Sequence, residues 1–385
     1  MATTFFRTGL LLLAAASAGL GTLKSRWLSE GASAGSERAQ RQLDTLVQPS
    51  VLDTLPQART YRVIGVGDIM LGTDYPSPSH LPPNDGADLL AEVRDTLRQA
   101  DITFGNLEGT LFDRGGKPKK CQDPAVCYVF RTPARYVRHF VDAGFDLLSL
   151  ANNHSGDFGP EGRAKTKNTL HQAGIAFAGL VGTDEMVVIE RAGKRWGLCA
   201  FSPNSGTCDL RNLARAQEIV RTLVEQADIV IVSFHGGAEG PTHQHVPRRT
   251  EHFHGENRGD VYAFAHAVVD AGADLVLGHG PHVTRAVELY NDRFIAYSLG
   301  NFCTFGRFSL AGPAGIAPIL SIEVDDEGRF VSGQIIPTYQ QKHHGPKFDP
   351  QGRATKAIIE LTRTDFPETP LHILPDGRII RRLSE

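Results

Sequence analysis

The chain has 385 residues, of which 41% are hydrophobic and 22% are charged. These proportions are ordinary for a folded globular protein and exclude the disordered and fibrous classes. The formal net charge of −3, together with the absence of any long run of Lys or Arg, provides no general attraction to nucleic acid, so we predict no nucleic-acid partner.

The first 18 residues have the pattern of an export signal. Arg7 precedes a short apolar run that ends in Ala16-Ser17-Ala18, the small-residue pattern of a signal-peptidase site. We expect residues 1–18 to be a signal peptide or an uncleaved leader anchor, which would be the chain's only membrane attachment. The protein would then lie in the periplasm or on the outer face of the cytoplasmic membrane. Residues 19–60 are rich in Ser, Ala, Gly and Gln, which predicts a polar tether.

Alternating patterns predict an α/β domain over residues 61–345. Strand-like runs alternate with amphipathic stretches from RVIGVGDIML onwards, and runs such as IVIVSF are apolar on both faces, as in strands covered on each side. Hairpin patterns follow in VELYNDRFIAYSL and PILSIEVDDEGRFVSGQIIP. We therefore predict one mixed sheet or two stacked sheets, with residues 346–385 as a C-terminal extension that packs on the domain.

Two cysteines bracket a short loop in the first half of the chain. Cys121 and Cys127 flank QDPAV, and Pro124 favours a turn between them. In an oxidising compartment this spacing favours a disulfide, with two free thiols as the alternative.

Five predicted strands each end in a cluster of polar residues and glycine. In open α/β sheets ligands bind at the carboxyl ends of strands, so these clusters are expected to converge on one site. Each cluster alone could be a turn or a helix cap, but that explanation is hard to extend to all five. The clusters are GDIMLG (67–72), GNLEGT (105–110), ANNHSGDFG (151–159), FHGGAEG (234–240) and GHGPHV (278–283).

The side chains in these clusters are typical of a mixed oxygen and nitrogen metal site. Carboxylates, an amide and imidazoles without cysteine suit Mn, Fe or Zn better than copper(I) or an iron–sulfur cluster. They are too many for one tetrahedral ion, whereas two divalent ions roughly 3.5–4 Å apart would use them all. The predicted site residues are Asp68, Glu108, Asn153, His154, His235, His279 and His282.

In this order the motifs resemble the CapA proteins, named for capsule and poly-γ-glutamate synthesis, within the calcineurin-like metallophosphatase superfamily. The resemblance runs from about residue 62 to residue 340 and includes NLEG, DAGADLVLGHGPHV and IAYSLGNF (295–302). It implies a four-layer α/β/β/α sandwich with metals at the strand ends.

The resemblance also implies a role for each site residue. His154 would be the general acid that protonates the leaving group, and a hydroxide between two metals would attack the substrate. The chain departs from typical phosphatases at Met70, where they have a histidine ligand, in its His-x-x-His spacing and in the use of Glu as the bridge. The implied ligands are Asp68 and His282 for the first metal, Glu108 for the bridge, and Asn153, His235 and His279 for the second metal.

Further polar residues near these motifs are weaker candidates. Asp157 and Glu239 could orient imidazoles, and Arg131 and Arg285 could bind an anionic substrate; solvated carboxylates and surface salt bridges are the alternatives. Four histidines lie in HQHVPRRTEHFHGENRG (243–259), a segment that we expect to form a lid over the site rather than a second metal site.

These features favour a metal-dependent hydrolase or transferase. Its substrate would be an exported anionic polymer of the capsule or poly-γ-glutamate type, or a phosphoester, and membrane polymer-synthesis proteins would be its partners. The alternative is a metal-binding envelope component that guides or tethers the polymer without turnover. A nucleotide phosphodiesterase is the least favoured of the three.

Overall fold

The computed structural model describes residues 59–120 and 128–382. The predicted leader, residues 19–58 of the predicted tether, and both Cys121 and Cys127 lie outside the described residues. Within the described ranges, no helix combines the length and the apolar character needed to cross a membrane.

The described residues form twenty strands, six α-helices and four short 3-10 turns. The first ten strands are β1 (Tyr61–Met70), β2 (Ile102–Leu107), β3 (Thr110–Leu111), β4 (Arg131–Thr132), β5 (Leu147–Ser149), β6 (Ala176–Ala178), β7 (Met186–Arg191), β8 (Lys194–Phe201), β9 (Ile229–His235) and β10 (Glu251–Phe253). The others are β11 (Glu256–Gly259), β12 (Leu275–His279), β13 (Val287–Tyr290), β14 (Arg293–Ala296), β15 (Asn301–Thr304), β16 (Ile316–Val324), β17 (Phe330–Gln340), β18 (Pro346–Phe348), β19 (Leu371–Ile373) and β20 (Arg378–Arg381). The helices are α1 (Arg94–Leu97), α2 (Val137–Ala143), α3 (Gly159–Gln172), α4 (Leu213–Val224), α5 (Val261–Asp270) and α6 (Arg353–Asp365), and the 3-10 turns are Pro83–Gly86, Ala134–Tyr136, Pro241–His243 and Gly312–Gly315.

Two mixed sheets form the centre of the fold, which confirms the predicted α/β class. The large sheet has ten strands in the order β19-β20-β17-β16-β1-β2-β5-β6, with β15 paired to β1 and β18 paired to β17. The small sheet has six strands in the order β13-β14-β12-β9-β8-β7. In both sheets the central strands are parallel, because β1, β2 and β5 run together in one and β8, β9 and β12 in the other.

The local sequence explains why the helices form where they do. Helix α4 buries Ala216, Ile219, Val220 and Leu223, which are spaced to lie on one helical face. The Asn212 side chain caps its first turn by accepting a hydrogen bond from the backbone N–H of Arg215. Asp260 caps α5 in the same way.

Three apolar layers hold the sheets and helices together as the predicted four-layer sandwich. Between the sheets, Phe104 of the large sheet packs in one cluster with Trp196 and Ile231 of the small sheet. Helices α4 and α5 cover the outer face of the small sheet. Helices α1, α2 and α3 cover the outer face of the large sheet. Both sheets are therefore buried on their two faces, as their apolar strand sequences predict.

Residues after 345 are part of the large sheet. β18 and β20 both pair with β17, and β19 pairs with β20 at the end of the sheet. Helix α6 packs against β16 and β17. The segment described above as a C-terminal extension thus contributes three strands and a helix to the same body.

Candidate metal centre

The carboxyl ends of the central strands place the polar clusters together. Asp68 lies in β1 and Glu108 follows β2, its parallel neighbour in the large sheet. His235 ends β9 and His282 follows β12, its parallel neighbour in the small sheet. Each sheet therefore supplies two of the four side chains.

A close backbone approach sets the position of Asp68. The backbone N–H of Asp68 donates to the carbonyl of Gly300 over 2.8 Å. A β-carbon at the preceding residue, Gly67, would lie only 2.0 Å from that carbonyl oxygen. Only glycine fits at residue 67, and the approach brings Asp68 level with Asn301 in the parallel pairing of β1 with β15.

Asp68, Glu108, His235 and His282 form a compact cluster of potential metal ligands. One donor atom from each lies within 4.8 Å of the others, and among residues 59–120 and 128–382 no other group of three or more acidic, His or Cys side chains comes as close. Glu108 Oε1 lies 3.5 Å from Nε2 of His235 and 3.5 Å from Nε2 of His282. That spacing is long for a hydrogen bond, so neither ring satisfies the Glu108 carboxylate.

Several potential metal-ligand atoms in and beside this cluster are buried without a hydrogen-bond partner. Both carboxylate oxygens of Glu108, both ring nitrogens of His235 and Oδ1 of Asn153 have no hydrogen-bond partner within the described part of the chain. Buried polar groups are nearly always paired, because an unpaired one costs free energy. A metal ion would satisfy these atoms, so the residues present fit a divalent cation.

Burial and neighbouring charges shift the pKa values of the cluster in opposite directions. Burial raises the pKa of Glu108 to about 7, against the opposing charge of His282. Burial also lowers the pKa of His235 well below its usual value, so its ring is neutral and available as a ligand.

The pair formed by Asp68 and His282 carries opposite charges in the metal-free protein. Burial alone would disfavour both charges, but Asp68 Oδ2 lies 3.0 Å from His282 Nδ1 and the two ions stabilise each other. The pKa of Asp68 falls to about 2, and the pKa of His282 rises to about 10 with a further contribution from Glu108. A bound cation would take the place of the proton on His282.

His154 is oriented by a buried carboxylate beside the cluster. Its Nδ1 donates to Asp157 Oδ2 over 2.8 Å, and the same oxygen accepts the backbone N–H of Phe130. Lys119 Nζ lies 2.6 Å from the other oxygen of Asp157. With Nδ1 committed to Asp157, Nε2 is the nitrogen of His154 that remains for chemistry.

A cavity of about 420 Å³ opens over these residues. Asn153, His154, Glu239 and His282 form part of its wall. Two aromatic rings form another part of the wall: Phe130 stacks on Phe308 with ring centroids 5.3 Å apart, and these two rings also contact His154 and His282 respectively. Lys119, Phe253, Asn301 and Arg307 also line the cavity.

Comparison with known proteins identifies the family. The model of the bacterial capsule synthesis protein family PGA_cap matches residues 62–305, which is more than half of the chain. The chain belongs to this family. A capsule biosynthesis protein CapA of Bacillus anthracis is 29% identical over 262 residues, covering 62% of this chain and 58% of the relative. The PGA biosynthesis protein CapA of Bacillus subtilis is 29% identical over 254 residues, covering 62% and 61%.

The chain spans less than two thirds of the length of these two relatives. Among solved structures, a phosphatase from Mycoplasma pneumoniae aligns with a TM-score of 0.45 and 12% identity, over 78% of this chain and 98% of that one. The match to the family model and to the two Bacillus relatives confirms the predicted resemblance to the CapA proteins.

One histidine predicted as a ligand lies outside the cluster of this family member. His279 Nε2 is 3.1 Å from the backbone carbonyl oxygen of Val66, and a carbonyl can only accept. Nε2 therefore carries a proton in this conformation and cannot bind a metal. Nδ1 lies 3.4 Å from the hydroxyl of Ser233. This bond ties the ring to β1 and leaves Nδ1 as the nitrogen with a lone pair, so the role of His279 as a second-metal ligand stays a prediction.

The two candidate substrate-binding arginines are both engaged in ion pairs. Arg285 is fully buried and makes a two-pronged pair with Glu251, at 2.8 and 2.7 Å, so it does not reach the cavity. Its predicted role in binding substrate is wrong, because its guanidinium is enclosed by protein. Arg131 pairs with Asp74 at 2.7 Å and is not among the residues that line the cavity.

Asp157 contacts the imidazole of His154, as its predicted orienting role requires, whereas the carboxylate of Glu239 pairs with an arginine. Glu239 lines the cavity and pairs with the buried Arg258 at 3.0 Å. Burial would raise the pKa of Glu239, but His282 and Arg258 outweigh it and lower the pKa. Glu239 is therefore an anion at the rim of the centre.

The histidine-rich segment forms a structured edge of the cavity. Strands β10 and β11 make a hairpin, and Phe253 at its end lines the cavity. The histidines engage separate partners: His243 Nδ1 donates to the carbonyl of Glu239, and His245 pairs with Asp365. The segment resembles the predicted lid more than a second metal site.

Two buried asparagines were missed by sequence reasoning. Asn106 Nδ2 donates to Asp68 Oδ1 over 2.9 Å, and Asn152 Nδ2 donates to the side-chain oxygen of Asn106 over 3.0 Å. Asn152 in turn accepts the backbone N–H of His154. This amide chain links a predicted metal ligand to the predicted acid. The sequence offers one signal for this chain of amides, which is that both asparagines lie in motifs that contain predicted site residues.

Proposed function

We propose that this protein is an exported, metal-dependent hydrolase or transferase that acts on an extracellular anionic polymer of the capsule type. The proposal rests on the unpartnered ligand atoms of Glu108 and His235 and on a cavity lined by their neighbours His154 and His282. Buried ligand atoms without hydrogen-bond partners, next to an oriented histidine, are expected at a catalytic site rather than at a site that only stabilises the fold.

Glu108 and the side chains around it would hold two divalent ions. Asp68 and His282 would hold one ion, and His235 with Asn153 would hold the other. Bound ions of Mn, Fe or Zn would act as Lewis acids and lower the pKa of a coordinated water.

His154 is the residue best placed to move a proton. Asp157 accepts the proton on Nδ1 and so fixes the tautomer, which leaves Nε2 on the cavity side to protonate a leaving group. Lys119 and the backbone N–H of Phe130 contact Asp157 in turn, so the carboxylate that orients His154 is itself held in place.

The walls of the cavity suit an anionic and partly apolar substrate. Lys119 and Arg307 place positive charge at its rim, and Phe130 and Phe308 offer a flat apolar surface. The names of the Bacillus relatives, a capsule biosynthesis protein and a PGA biosynthesis protein, support a polymer of carboxylates as the substrate class. Membrane proteins of polymer synthesis would be its partners.

A non-catalytic metal-binding component of the envelope is the second candidate. The observation that favours it is Met70, whose buried sulfur accepts the backbone N–H of Gly72 over 3.2 Å and supplies no ligand to the cluster. Such a protein would guide or tether the polymer with the same residues. A phosphodiesterase is the third and least favoured candidate.

The test uses the full chain, stripped of metal and reloaded with Mn²⁺ or Zn²⁺. Metal content is measured together with hydrolysis of poly-γ-glutamate and of a phosphodiester, for the wild type, His235→Ala and His154→Gln. We expect about two equivalents of metal in the wild type. His235→Ala should lose metal and turnover, whereas His154→Gln should keep its metal and lose turnover.

A matched control is His372→Ala, because His372 is an exposed histidine on the edge strand β19. It should retain both metal and turnover. Metal binding without turnover on either substrate would overturn the enzyme in favour of the envelope component. Binding of less than one equivalent by the wild type would overturn the metal centre itself. Fractionation of the producing cells tests export, since a cytoplasmic location would contradict it.

A further inference from the structure

Asn301 is a buried amide that faces the cluster of potential metal ligands from a further strand, β15. It begins β15, lies opposite Asp68 in the pairing with β1, and is 1% exposed. It also lines the cavity. Asn301 belongs to the segment IAYSLGNF, which had no assigned role in the sequence.

The orientation of this amide is determined by its hydrogen bonds. Asn301 Nδ2 donates to the carbonyl of His282 over 3.2 Å and to the carbonyl of Ala314 over 3.1 Å. These bonds use both protons of the amide nitrogen, so the oxygen must be the atom that faces the cluster.

Two oxygen atoms lie within hydrogen-bond distance of the same nitrogen of His282. Its Nδ1 lies 3.1 Å from Asn301 Oδ1 and 3.0 Å from Asp68 Oδ2. Only one proton is available there, so the metal-free protein cannot give both oxygens a full hydrogen bond. Neighbouring ligands of an octahedral ion with bonds of about 2.1 Å are roughly 3 Å apart, which is the spacing of both oxygens from Nδ1.

We propose that Asn301 Oδ1 is a further ligand of the ion held by Asp68 and His282. The proposal rests on the metal centre of the proposed function and names a donor that compensates for the absence of one at Met70. An amide oxygen adds no charge and favours hard cations, so Asn301 directs this position toward Mn²⁺ relative to Zn²⁺.

Metal titration of the full chain tests this assignment without reference to activity. Chelator-treated protein is titrated calorimetrically with Mn²⁺ and separately with Zn²⁺. Asn301→Ala should weaken the binding of one Mn²⁺ by about tenfold to a hundredfold and should weaken Zn²⁺ less. Asn301→Asp, which keeps an oxygen at the same place, should restore Mn²⁺ binding. In the cobalt-loaded protein, the visible spectrum should differ between Asn301→Ala and the wild type.

The matched control is Gln340→Ala. Gln340 is another buried amide that bonds to β15, at Thr304, and it does not line the cavity over the cluster. It should bind both metals like the wild type. Should Asn301→Ala fail to fold, as judged by thermal unfolding of the metal-free protein, Asn301→Ser carries the same comparison.

Two results would overturn the assignment. Equal Mn²⁺ affinity in Asn301→Ala and the wild type would remove Asn301 from the site altogether. An equal loss of Mn²⁺ and Zn²⁺ affinity with an unchanged cobalt spectrum would make Asn301 a hydrogen-bond acceptor that positions His282. Either result leaves the proposed function standing, whereas a wild type that binds neither metal removes both.

Discussion

The buried ion pair between Arg285 and Glu251 should be among the most sensitive points of the fold. Arg285 Nε also donates to the carbonyl of His243, and its Nη2 donates to the carbonyl of Ala238. Glu251 accepts the backbone N–H of Ala238 as well. The pair therefore joins the loop between β12 and β13, the loop after β9 and the hairpin that carries Phe253.

The expected cost of breaking this pair follows from its burial. The side chains of Arg285 and Glu251 are 0% and 5% exposed. Arg285→Met would leave an unpaired buried carboxylate and two carbonyls without their donor, which should lower the free energy of unfolding by about 3–5 kcal/mol. Removing both charges in Arg285→Met/Glu251→Gln should cost clearly less than the two single changes added together, because no buried charge remains.

Urea unfolding of the full chain, followed by tryptophan fluorescence, measures these differences. Trp196 is suitable because it is fully buried between the two sheets. Arg195→Met is the control, since Arg195 pairs with Asp228 at the surface and its loss should have little effect. The reasoning is refuted if Arg285→Met unfolds at the same urea concentration as the wild type, or if the double variant is no better than the sum of the single ones.

Three further predictions concern the backbone, the pH dependence of stability and the orientation of the acid. Gly67→Ala should lower the free energy of unfolding by about 3 kcal/mol in urea, because the new methyl group would meet a backbone carbonyl oxygen at 2.0 Å. Burial raises the pKa of Asp274 to about 6, so the folded state holds a proton more tightly than the unfolded state does, and this stabilisation is lost as the pH rises from about 4 to above 6. The free energy of unfolding of Asp274→Asn, measured in urea at each pH, should therefore rise relative to that of the wild type by about 2–3 kcal/mol between pH 4 and pH 7. Asp157→Asn should reduce turnover on poly-γ-glutamate by roughly 100-fold while metal content stays unchanged, because an uncharged amide stabilises a protonated His154 less and its NH2 group can donate to Nδ1 and fix the other tautomer.

Each of these predictions has a control or a contradicting result. Gly156→Ala is the control for Gly67→Ala, since the nearest atoms to its new methyl group belong to the flexible end of Arg163. A constant difference between Asp274→Asn and the wild type from pH 4 to pH 7 would contradict the raised pKa. Loss of metal from Asp157→Asn would show that Asp157 supports the metal centre rather than His154.

Much of the fold could be predicted because its signals are local. The strand-like run IVIVSF is part of β9, which is buried throughout, and the polar residues that end the central strands do meet at one edge. Patterns of period two and the rule that ligands lie at strand ends need no knowledge of distant contacts.

The errors and omissions at the site have a different origin, because each depends on a tertiary contact. His279 and His282 lie in the same motif, and the sequence does not show that the ring of His279 contacts the Val66 carbonyl. Arg285 follows a site motif, but its burial depends on Glu251 in a distant hairpin. Asn301 carries no local signal, since its relevance arises from the pairing of β15 with β1.

The division of the cluster between the two sheets has a consequence for the stability of the whole domain. Asp68 and Glu108 belong to the large sheet, whereas His235 and His282 belong to the small sheet. The ion that Asp68 and His282 would share takes one ligand from each sheet, so it would connect two layers whose shared core is apolar. By mass action, free metal at a hundred times its dissociation constant would add about 2.7 kcal/mol to the free energy of unfolding. The stability of the folded protein would thus depend on the divalent-metal concentration around it. Thermal unfolding at graded metal concentrations would then report site occupancy without any substrate.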